Sequence, residues 1–419
     1  MGVFIKVKRL FELRAPTQAF IVVFCLTFFS MDTLLFGTNI SRKWQFGLVG
    51  ALIIYEVILL IIRFYKERRK LCFNEKSVRL TLGLMIFIIG SQISAAFRDS
   101  YNLEIQYFYH MLLLVVILTS VHVVTEKEYI HEYTNVMSIF AIVAIILFLL
   151  EKMGVAYSLP SFKVVNKSGY LYFHFGLGAV PAPREYVPIR AYGVFREPAV
   201  FAIHLCVALY FELFKKKTDI CKVGIFMVAV FLTYSTAGYL VLGGFLVIYV
   251  FMKKTKTQAE QVGKGLIILG GIILLFFVMN EDLQNKVFGK LFTENNSLNS
   301  RVYSVIGGLT YSIQYPFMGH GWNDVVNHFA EFIFSEYTLS DIASTNTYVR
   351  MACIYGWIFT VTTLYGLWRF QRKLENNMLL VVAIFVCWII LFSNGDLVLN
   401  PIAYILAYYG IDNSLERLG

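Results

Sequence analysis

The sequence predicts an all-α, polytopic integral membrane protein with about twelve transmembrane helices, on the basis of its composition and its hydrophobic pattern. Of the 419 residues, 58% are hydrophobic and only 15% are charged, against roughly 25% charged in an average soluble domain. The mean hydropathy is +0.65. A soluble chain of this length must cover a large surface with polar groups, and this chain has too few of them. An ordinary soluble protein is therefore excluded.

Apolar stretches of membrane-spanning length recur from one end of the chain to the other. A helix needs about 20 largely apolar residues to cross the hydrocarbon core. By that measure spans lie near 17–36, 44–64, 78–97, 105–125, 133–150, 198–214, 265–279, 346–368, 377–393 and 395–410. The stretch 222–252 has lysines on both sides, so it is expected to cross twice, with a break at Ser235-Thr236-Ala237-Gly238. Residues 1–419 thus form a single transmembrane domain.

The distribution of charge gives the expected orientation. The chain has 37 lysines and arginines against 27 acidic residues, a formal net charge of +10. Most basic residues lie in the segments that alternating spans place on one side, and excess Lys and Arg mark the cytoplasmic side. Both termini are therefore expected in the cytoplasm. Nucleic-acid binding would need a basic patch on a soluble surface, and we expect none.

Two long loops, 151–197 and 280–345, are expected on the external side. Long ordered loops are often binding or catalytic segments. In the second loop, apolar residues recur at helical spacing before a proline, at Val302, Ile306, Leu309, Ile313 and Pro316. This pattern predicts short amphipathic helices on the outer membrane surface, with Gly319-His320-Gly321 as the turn between two of them.

A polar stripe enters the membrane where the first loop meets the span at 198–214. Pro198 favours a helix start, and the carboxylate of Glu197 would suit the positive helix end, so Glu197 can be a plain helix-start residue. His204 lies further along the same helical face, so Arg196, Glu197 and His204 form a stripe. Ionisable groups at such depth usually face a cavity or a partner. All three are candidate site residues, with a simple hydrogen-bonded role as the alternative for His204.

Five arginines are expected on the external side: Arg184, Arg190, Arg196, Arg301 and Arg350. The planar guanidinium group matches two phosphate oxygens and keeps its charge at any physiological pH. Several arginines that converge would therefore form a pyrophosphate site. Pairing with lipid headgroups is the alternative for Arg184 and Arg190, and snorkelling to the interface is the alternative for Arg350.

Other ionisable residues could exchange protons: His320, Asp324 and His328 in the second loop, and Asp32, Glu56, Glu212 and Asp396 within the spans. Histidine is a common general base, although one histidine in a glycine turn is more often structural. Glu56, near mid-membrane, and Asp396, near the outer end of its span, could each line a cavity, with packing or interhelical hydrogen bonding as the default. The external segments contain no DxD pair, Walker loop, GxSxG or HExxH, and the six cysteines lack metal-ligand spacing. We expect neither a metal nor a cofactor.

Short motifs follow one another in the second half of the chain: Gly193-Val194-Phe195-Arg196-Glu197-Pro198, Tyr234-Ser235-Thr236-Ala237-Gly238, Asn299-Ser300-Arg301, Pro316-Phe317-Met318-Gly319-His320-Gly321, Asn346-Thr347-Tyr348 and Tyr355-Gly356. With these motifs in this order, and two long external loops on about twelve spans, the chain resembles the O-antigen and capsular polysaccharide polymerase (Wzy) family. That family shares a superfamily with the O-antigen ligases. The first half of the chain matches only in its run of spans.

The resemblance implies a GT-C-like, metal-independent glycosyltransferase on the outer face of the bacterial plasma membrane. Its substrates would be oligosaccharide repeat units on undecaprenyl pyrophosphate. A hydroxyl of one unit would attack the first sugar carbon of the growing chain, with release of the lipid pyrophosphate. Membrane lipids and a chain-length regulator are the further partners considered.

The resemblance also implies roles for individual residues. Arg196 and Arg301 would contact the pyrophosphate, and Glu197 or His320 would be the base. The other expected substrate-binding residues are Arg190, Arg350, Asn346, His204 and Tyr192. Tyr192 is one of many aromatic residues in the two loops, where rings can stack on sugars or form an interfacial belt.

Two departures from the family pattern affect this interpretation. Ligases tend to carry a histidine just before the asparagine that opens the late span, whereas Ser344-Thr345 precede Asn346 here. This favours a polymerase over a ligase. Some polymerases also show an arginine and a glycine at a fixed spacing in each long loop, and Arg190 and Arg301 lack it. A ligase-type enzyme, a lipid-linked-sugar flippase and a structural membrane subunit remain as alternatives; a flippase should show two similar halves, and none is visible.

Overall fold

The computed structural model describes residues 17–67, 74–98, 104–166, 169–183, 189–215, 218–252, 258–278, 296–329 and 346–411. Most of this part of the chain is helical. The helices are α1 (Gln18–Phe28), α2 (Arg42–Glu67), α3 (Glu75–Arg98), α4 (Ile105–Val123), α5 (Glu126–Lys152), α6 (Pro198–Phe214), α7 (Ile220–Leu232), α8 (Thr236–Met252), α9 (Gln258–Val278), α10 (Asn296–Gln314), α11 (Trp322–His328), α12 (Thr347–Tyr355), α13 (Trp357–Leu374), α14 (Met378–Phe392) and α15 (Ile402–Ile411).

Within the described ranges, four helices are long and apolar enough to cross a membrane alone, namely α2, α3, α4 and α5. Shorter apolar helical stretches of 10–17 residues accompany them: α1, α6, α7, α14, α15, residues Thr236–Phe251 of α8 and residues Gln261–Ile272 of α9. This supports a helical membrane protein. The number of about twelve spans stays a prediction.

Three predicted spans are wrong as continuous helices, and the first lies at 17–36. Helix α1 ends at Phe28, and a π-helical turn, Leu35–Asn39, follows after an irregular bend. The bend forms because the hydroxyl of Thr33 donates to the carbonyls of Phe28 and Ser30, at 2.9 and 3.0 Å. This places Asp32 in a bend rather than inside a helix.

The other two broken spans lie at 346–368 and 395–410. The first divides into α12 and α13 at Gly356, which has φ +89°. A Cβ at this position would lie 2.3 Å from the carbonyl oxygen of Phe317, so only glycine permits this approach. In the second, residues 395–401 form an irregular segment and only Ile402–Ile411 is helical. Both irregular segments supply residues to the site described below.

The predicted division of 222–252 is confirmed. Helices α7 and α8 are separated by Thr233–Ser235, just before the expected break, and Tyr234 has φ +49° there. The side chain of Asn394 donates to the hydroxyl of Ser235 at 3.4 Å. This bond joins the break between α7 and α8 to the irregular segment after α14.

The first long loop contains a small antiparallel sheet that the all-α prediction missed. Its strands are β1 (Phe162–Val165), β2 (Leu171–His174) and β3 (Ala179–Pro181), in the order β1-β2-β3. The sequence signal is a cluster of β-branched and aromatic residues on both sides of a turn, which we interpreted as an interfacial belt. A small apolar cluster packs the sheet against the bend after α1: Leu34, Val164, Tyr172, Ala179 and Tyr192.

The second long loop has the predicted helices. Helix α10 covers the predicted amphipathic stretch and ends just before Pro316, and α11 follows after the turn. The turn is confirmed at Gly319-His320-Gly321, where the two glycines have φ +67° and +87°. The position of these helices on the outer membrane surface stays a prediction.

Candidate functional site

Four charged side chains from distant parts of the sequence meet at the ends of four helices. Asp32 follows α1, Arg196 precedes α6, Arg350 lies in the first turn of α12, and Asp396 lies between α14 and α15. We call Asp32, Arg196, Arg350 and Asp396 the charge cluster. Its residues alternate in sign, so each arginine lies beside a carboxylate.

Backbone pairing fixes the Asp32 side of the charge cluster. The N–H of Arg196 donates to the carbonyl of Asp32 at 2.9 Å, and the N–H of Leu34 donates to the carbonyl of Val194 at 2.8 Å. Thr33 and Phe195 form an antiparallel bridge between these bonds. The bend after α1 is therefore held against the segment that opens α6.

Side-chain bonds fix the Asp396 side in a similar way. Asn346 caps α12 by accepting from the N–H groups of Tyr348 and Val349, and its amide donates to the hydroxyl of Ser393 at 2.9 Å. The hydroxyl of Thr347 donates to the carbonyl of Gly395 at 2.6 Å and accepts from the N–H of Leu397 at 3.1 Å. The first turn of α12 is thus tied to the backbone on both sides of Asp396.

Ion pairs connect the members of the charge cluster. Nη2 of Arg196 lies 3.0 Å from Oδ1 of Asp32 and donates to the backbone carbonyl of Asp396 at 3.2 Å. Nη1 of Arg350 lies 3.3 Å from Oδ2 of Asp396. The side chain of Asp32 is only 5% exposed, that of Arg350 is 11% exposed, and those of Asp396 and Arg196 are 25% and 27% exposed. The cluster is therefore partly open to a ligand.

Both arginines retain donor groups that the described part of the protein does not use. The Nε atoms of Arg196 and Arg350 are buried, and neither has a hydrogen-bond partner there. Burial alone would lower the pKa of Arg196, but the negative charges of Asp32, Glu197 and Asp396 outweigh it and raise that pKa. Arg196 therefore keeps its charge at every physiological pH. Unpaired buried donors on charged groups are costly, so an anionic ligand would stabilise this arrangement.

A buried hydrogen-bonded chain continues from Asp32 into the protein. The amide of Asn400 donates to Oδ2 of Asp32 at 2.8 Å and to Nε2 of His204 at 3.3 Å. Nδ1 of His204 then lies 2.8 Å from the hydroxyl of Tyr133. Asn400, His204 and Tyr133 are all almost fully buried. His204 therefore supports the charge cluster from its buried side. It cannot touch a ligand that enters from the exposed side of the cluster.

The turn of the second loop lies beside the charge cluster. The guanidinium of Arg350 lies over the ring of Trp322, 5.6 Å from its centroid. Arg98, at the end of α3, donates to the carbonyls of Gly319 and His320 at 3.1 and 2.9 Å and stacks on Tyr315 at 3.8 Å. Contacts from α3 and α12 thus hold this turn in place.

His320 has both of its ring nitrogens engaged within the protein. Nε2 donates to the carbonyl of Tyr311 at 2.7 Å, and Nδ1 lies 3.1 Å from a carboxylate oxygen of Asp324. The ring also stacks on Tyr311, with 3.5 Å between centroids. Burial lowers the pKa of His320, and the bonds to Tyr311 and Asp324 offset part of that effect. In this arrangement neither nitrogen is available to a substrate hydroxyl.

The remaining predicted site residues are spread around the charge cluster. Glu197 is the N-cap of α6 and is exposed, and its side chain makes no capping bond. Arg190 lies within electrostatic range of Tyr234 and Tyr239, and its Nε is buried without a partner in the described ranges. Tyr192 packs edge-on against Tyr172 in the apolar cluster under the sheet.

Arg301 lies in α10, but its side chain is outside the described residues, as is the whole of Arg184. Among the residues that are described, no group of three or more His, Cys, Asp or Glu side chains could hold a metal ion. Of the predicted arginines, the structure therefore brings together Arg196 and Arg350.

Sequence reasoning missed the partners of these arginines. The sequence identifies Asp32 and Asp396 as ionisable residues within spans, and it leaves a cavity-lining role open for Asp396 with packing or hydrogen bonding as the default. Each lies where a predicted span breaks, and broken helices in membranes are tolerated where they border a cavity or other protein. A carboxylate next to a predicted helix break was the available signal. Nothing in the sequence pointed to Asn400 or Arg98.

A comparison with known families agrees with this picture. Residues 223–364 match the model of a family described as O-antigen ligase. The matched segment begins in α7 and ends in α13, so it contains Arg350 but not Asp32, Arg196 or Asp396. No curated protein matches the chain. The match covers about a third of the chain and supports a relation to the O-antigen ligases and polymerases, which are glycosyltransferase-like enzymes.

Proposed function

We propose that this protein is a polysaccharide polymerase of the bacterial plasma membrane. It joins oligosaccharide repeat units that are linked to undecaprenyl pyrophosphate, on the outer face of the membrane and without a metal ion. Both termini lie in the cytoplasm, and a chain-length regulator is its expected protein partner. The proposal combines the family match over 223–364 with the geometry of the charge cluster.

The observation that carries the proposal is the convergence of Arg196 and Arg350 on Asp396. Both contact this one residue, Arg196 at its carbonyl and Arg350 at its carboxylate. Each has a buried Nε without a partner in the described structure. The N-termini of α6 and α12 also lie at this place, and helix N-termini attract anions. A pyrophosphate group, with several oxygens and two negative charges, matches such a set of donors.

The arginines suit the chemistry of glycosyl transfer from a lipid pyrophosphate. As the bond from the first sugar carbon to the pyrophosphate breaks, negative charge grows on the leaving group. Positive charge that is already in place stabilises that transition state. The ring of Trp322 is buried and is not required for this step, but its contact with Arg350 keeps the second loop close to that arginine.

The main alternative is a ligase-type glycosyltransferase, because the matching family is described as O-antigen ligase. Polymerase and ligase differ in their acceptor: a second lipid-linked repeat unit for the polymerase, a different glycolipid for the ligase. Ser344-Thr345 before Asn346, where ligases tend to have a histidine, supports the polymerase. A flippase would move the substrate without forming a glycosidic bond.

Purified protein and lipid-linked repeat units in detergent provide the test. A polymerase produces a ladder of longer glycans on a gel, and the ladder survives a chelator. Arg196→Ala should abolish the ladder when it is compared with the unchanged protein at equal amounts of folded protein. Polymer formed only when a separate acceptor glycolipid is added would indicate the ligase. The absence of any ladder with substrate that a related enzyme can use would reject the proposal.

A further inference from the structure

We propose that Asp396 is the general base of this reaction, and that the incoming pyrophosphate itself releases Asp396 by taking Arg350 away from it. The inference rests on the proposed function, because it assigns a role within the same site. A base must lie within hydrogen-bond reach of the hydroxyl that it deprotonates. Asp396 combines access to ligand with a defined position.

The other carboxylates at the charge cluster fit this role less well. Asp32 is 5% exposed and is already bound by Arg196 and Asn400. Glu197 is exposed, and no capping bond orients its side chain. Asp396, in contrast, is 25% exposed, and its two carboxylate oxygens face different partners. Oδ2 pairs with Arg350 at 3.3 Å, and Oδ1 accepts from the N–H of Val398 at 3.4 Å.

The backbone around Asp396 keeps its carboxylate in place when Arg350 moves. Thr347 binds the carbonyl of Gly395 and the N–H of Leu397, and Arg196 binds the carbonyl of Asp396 itself. These contacts involve the main chain and leave the carboxylate untouched. Loss of the Arg350 pair would therefore free one carboxylate oxygen without displacing the residue.

The ion pair with Arg350 controls whether Oδ2 of Asp396 can accept a proton from a substrate hydroxyl. While Nη1 of Arg350 lies 3.3 Å from Oδ2 of Asp396, the guanidinium occupies the approach to that oxygen; once Arg350 turns to another anion, Oδ2 is open to a hydroxyl. Arg350 has an unused Nε and lies against Trp322, so it can engage a pyrophosphate while its planar group stays beside the ring. Oδ2 of Asp396 is then open to a hydroxyl only when the donor is bound, which limits wasteful attack by water.

In the transfer step, one bond forms at the first sugar carbon of the donor chain and one bond breaks there. The oxygen of the acceptor hydroxyl forms a bond to the first sugar carbon of the donor chain, and the bond from that carbon to the pyrophosphate oxygen breaks. The electron pair of the broken bond stays on the pyrophosphate, whose charge Arg196 and Arg350 neutralise. The hydroxyl proton passes to Oδ2 of Asp396. No oxidant, reductant or further reactant is consumed.

The test compares Asp396→Asn with Asp219→Asn in the full-length protein. Asp219 caps α7 through its side chain, with the carboxylate accepting from the N–H of Cys221, and asparagine caps helices equally well. Two quantities are measured: the rate of a single transfer with lipid-linked repeat units, and the binding of undecaprenyl pyrophosphate alone. Asp396→Asn should slow transfer by about 100-fold or more and bind the pyrophosphate at least as tightly as the unchanged protein. Asp219→Asn should change neither.

A chemical rescue distinguishes a base from a structural residue. Formate should restore transfer by Asp396→Ala several-fold and should leave Arg196→Ala inactive, because a small carboxylate can replace a base but not a guanidinium. The inference is overturned if Asp396→Asn keeps its rate within about threefold, if it loses pyrophosphate binding together with its rate, or if formate has no effect. In each of these cases the unchanged protein still makes a ladder and the proposed function stands. If the unchanged protein makes none, both fail.

Discussion

Arg196 is attached to Asp32 twice, once through the backbone at 2.9 Å and once through an ion pair at 3.0 Å. The two contacts fix both the position and the direction of the guanidinium. Asp32 is itself bound by Asn400, so the attachment reaches into the buried core. Removal of one partner of a buried ion pair strongly destabilises a protein, because the other charge then stays buried without a counter-charge. The ion pair therefore orients the guanidinium of Arg196, and substitution of either residue is expected to lower the stability of the protein.

Arg196→Lys is expected to lose nearly as much activity as Arg196→Ala, about 100-fold or more in transfer rate. Lysine keeps the positive charge but cannot contact Asp32, the carbonyl of Asp396 and a phosphate with one rigid planar group. The measurement is single-turnover transfer, with binding of undecaprenyl pyrophosphate as the second readout. A lysine variant that stays within about tenfold of the unchanged protein would show that charge alone matters.

His320 is expected to support the fold rather than the chemistry. His320→Gln removes the stacked ring and at least one of two ring hydrogen bonds, which should lower stability by about 2 kcal/mol. Burial lowers the pKa of His320, so the ring is neutral at pH 7. Its protonation therefore does not change the transfer rate above that pH. Protein that remains folded should show the pH dependence of transfer seen in the unchanged chain. A pH profile that loses its acidic limb would instead assign His320 the role of a general base.

The sequence predicted the helical membrane architecture, the division of 222–252 and the second-loop helices, because each depends on local hydrophobic patterns. It also named Arg196 and Arg350, together with Arg184, Arg190 and Arg301, as candidate arginines, because a guanidinium group suits a phosphate. The grouping of these two, and the exclusion of His204 from direct ligand contact, depend on long-range packing that no local pattern reveals.

The sequence-based prediction of the site lacked the helix breaks, and this had the largest effect on it. Hydropathy averaged over a window reports only the length of an apolar stretch. The predicted spans 17–36, 346–368 and 395–410 therefore each run across a helix break. Gly356 shows the physical reason: its positive φ and the carbonyl of Phe317 end α12, yet a glycine alone does not predict a break. Asp32 and Asp396 lie at two such irregular segments. Their place in the charge cluster was missed because both residues were expected within continuous helices.

Gly356→Ala is expected to destabilise the protein by about 3 kcal/mol or more and to reduce the yield of folded protein. The new Cβ would lie 2.3 Å from the carbonyl oxygen of Phe317, at a φ of +89° that alanine rarely adopts. Gly224→Ala is the matched control, since nothing lies within 4 Å of a Cβ there and alanine favours a helix. Thermal unfolding in detergent compares the two. Equal melting temperatures would show that the turn can move away from α12.

His174 is expected to make the protein less stable in mild acid. It lies in β2, fully buried, and its Nδ1 accepts from the N–H of Gly176 at 3.1 Å. Burial lowers its pKa from 6.5 to about 4. As the pH falls from 6.5 to 4, the unfolded chain takes up a proton on this residue and the folded protein does not. Stability from this residue is therefore complete above pH 6.5 and is lost as the pH falls towards 4.

The loss amounts to about 3 kcal/mol by pH 4. His174→Asn keeps an acceptor for Gly176 but cannot titrate, so its melting temperature should fall less between pH 7 and pH 4 than that of the unchanged protein. The carboxylates that become protonated in this range are common to both proteins and cancel in the comparison. The melting temperatures at pH 7 measure the packing cost of the substitution separately. Parallel pH curves for the two proteins would mean that His174 takes up its proton in the folded state at its ordinary pKa.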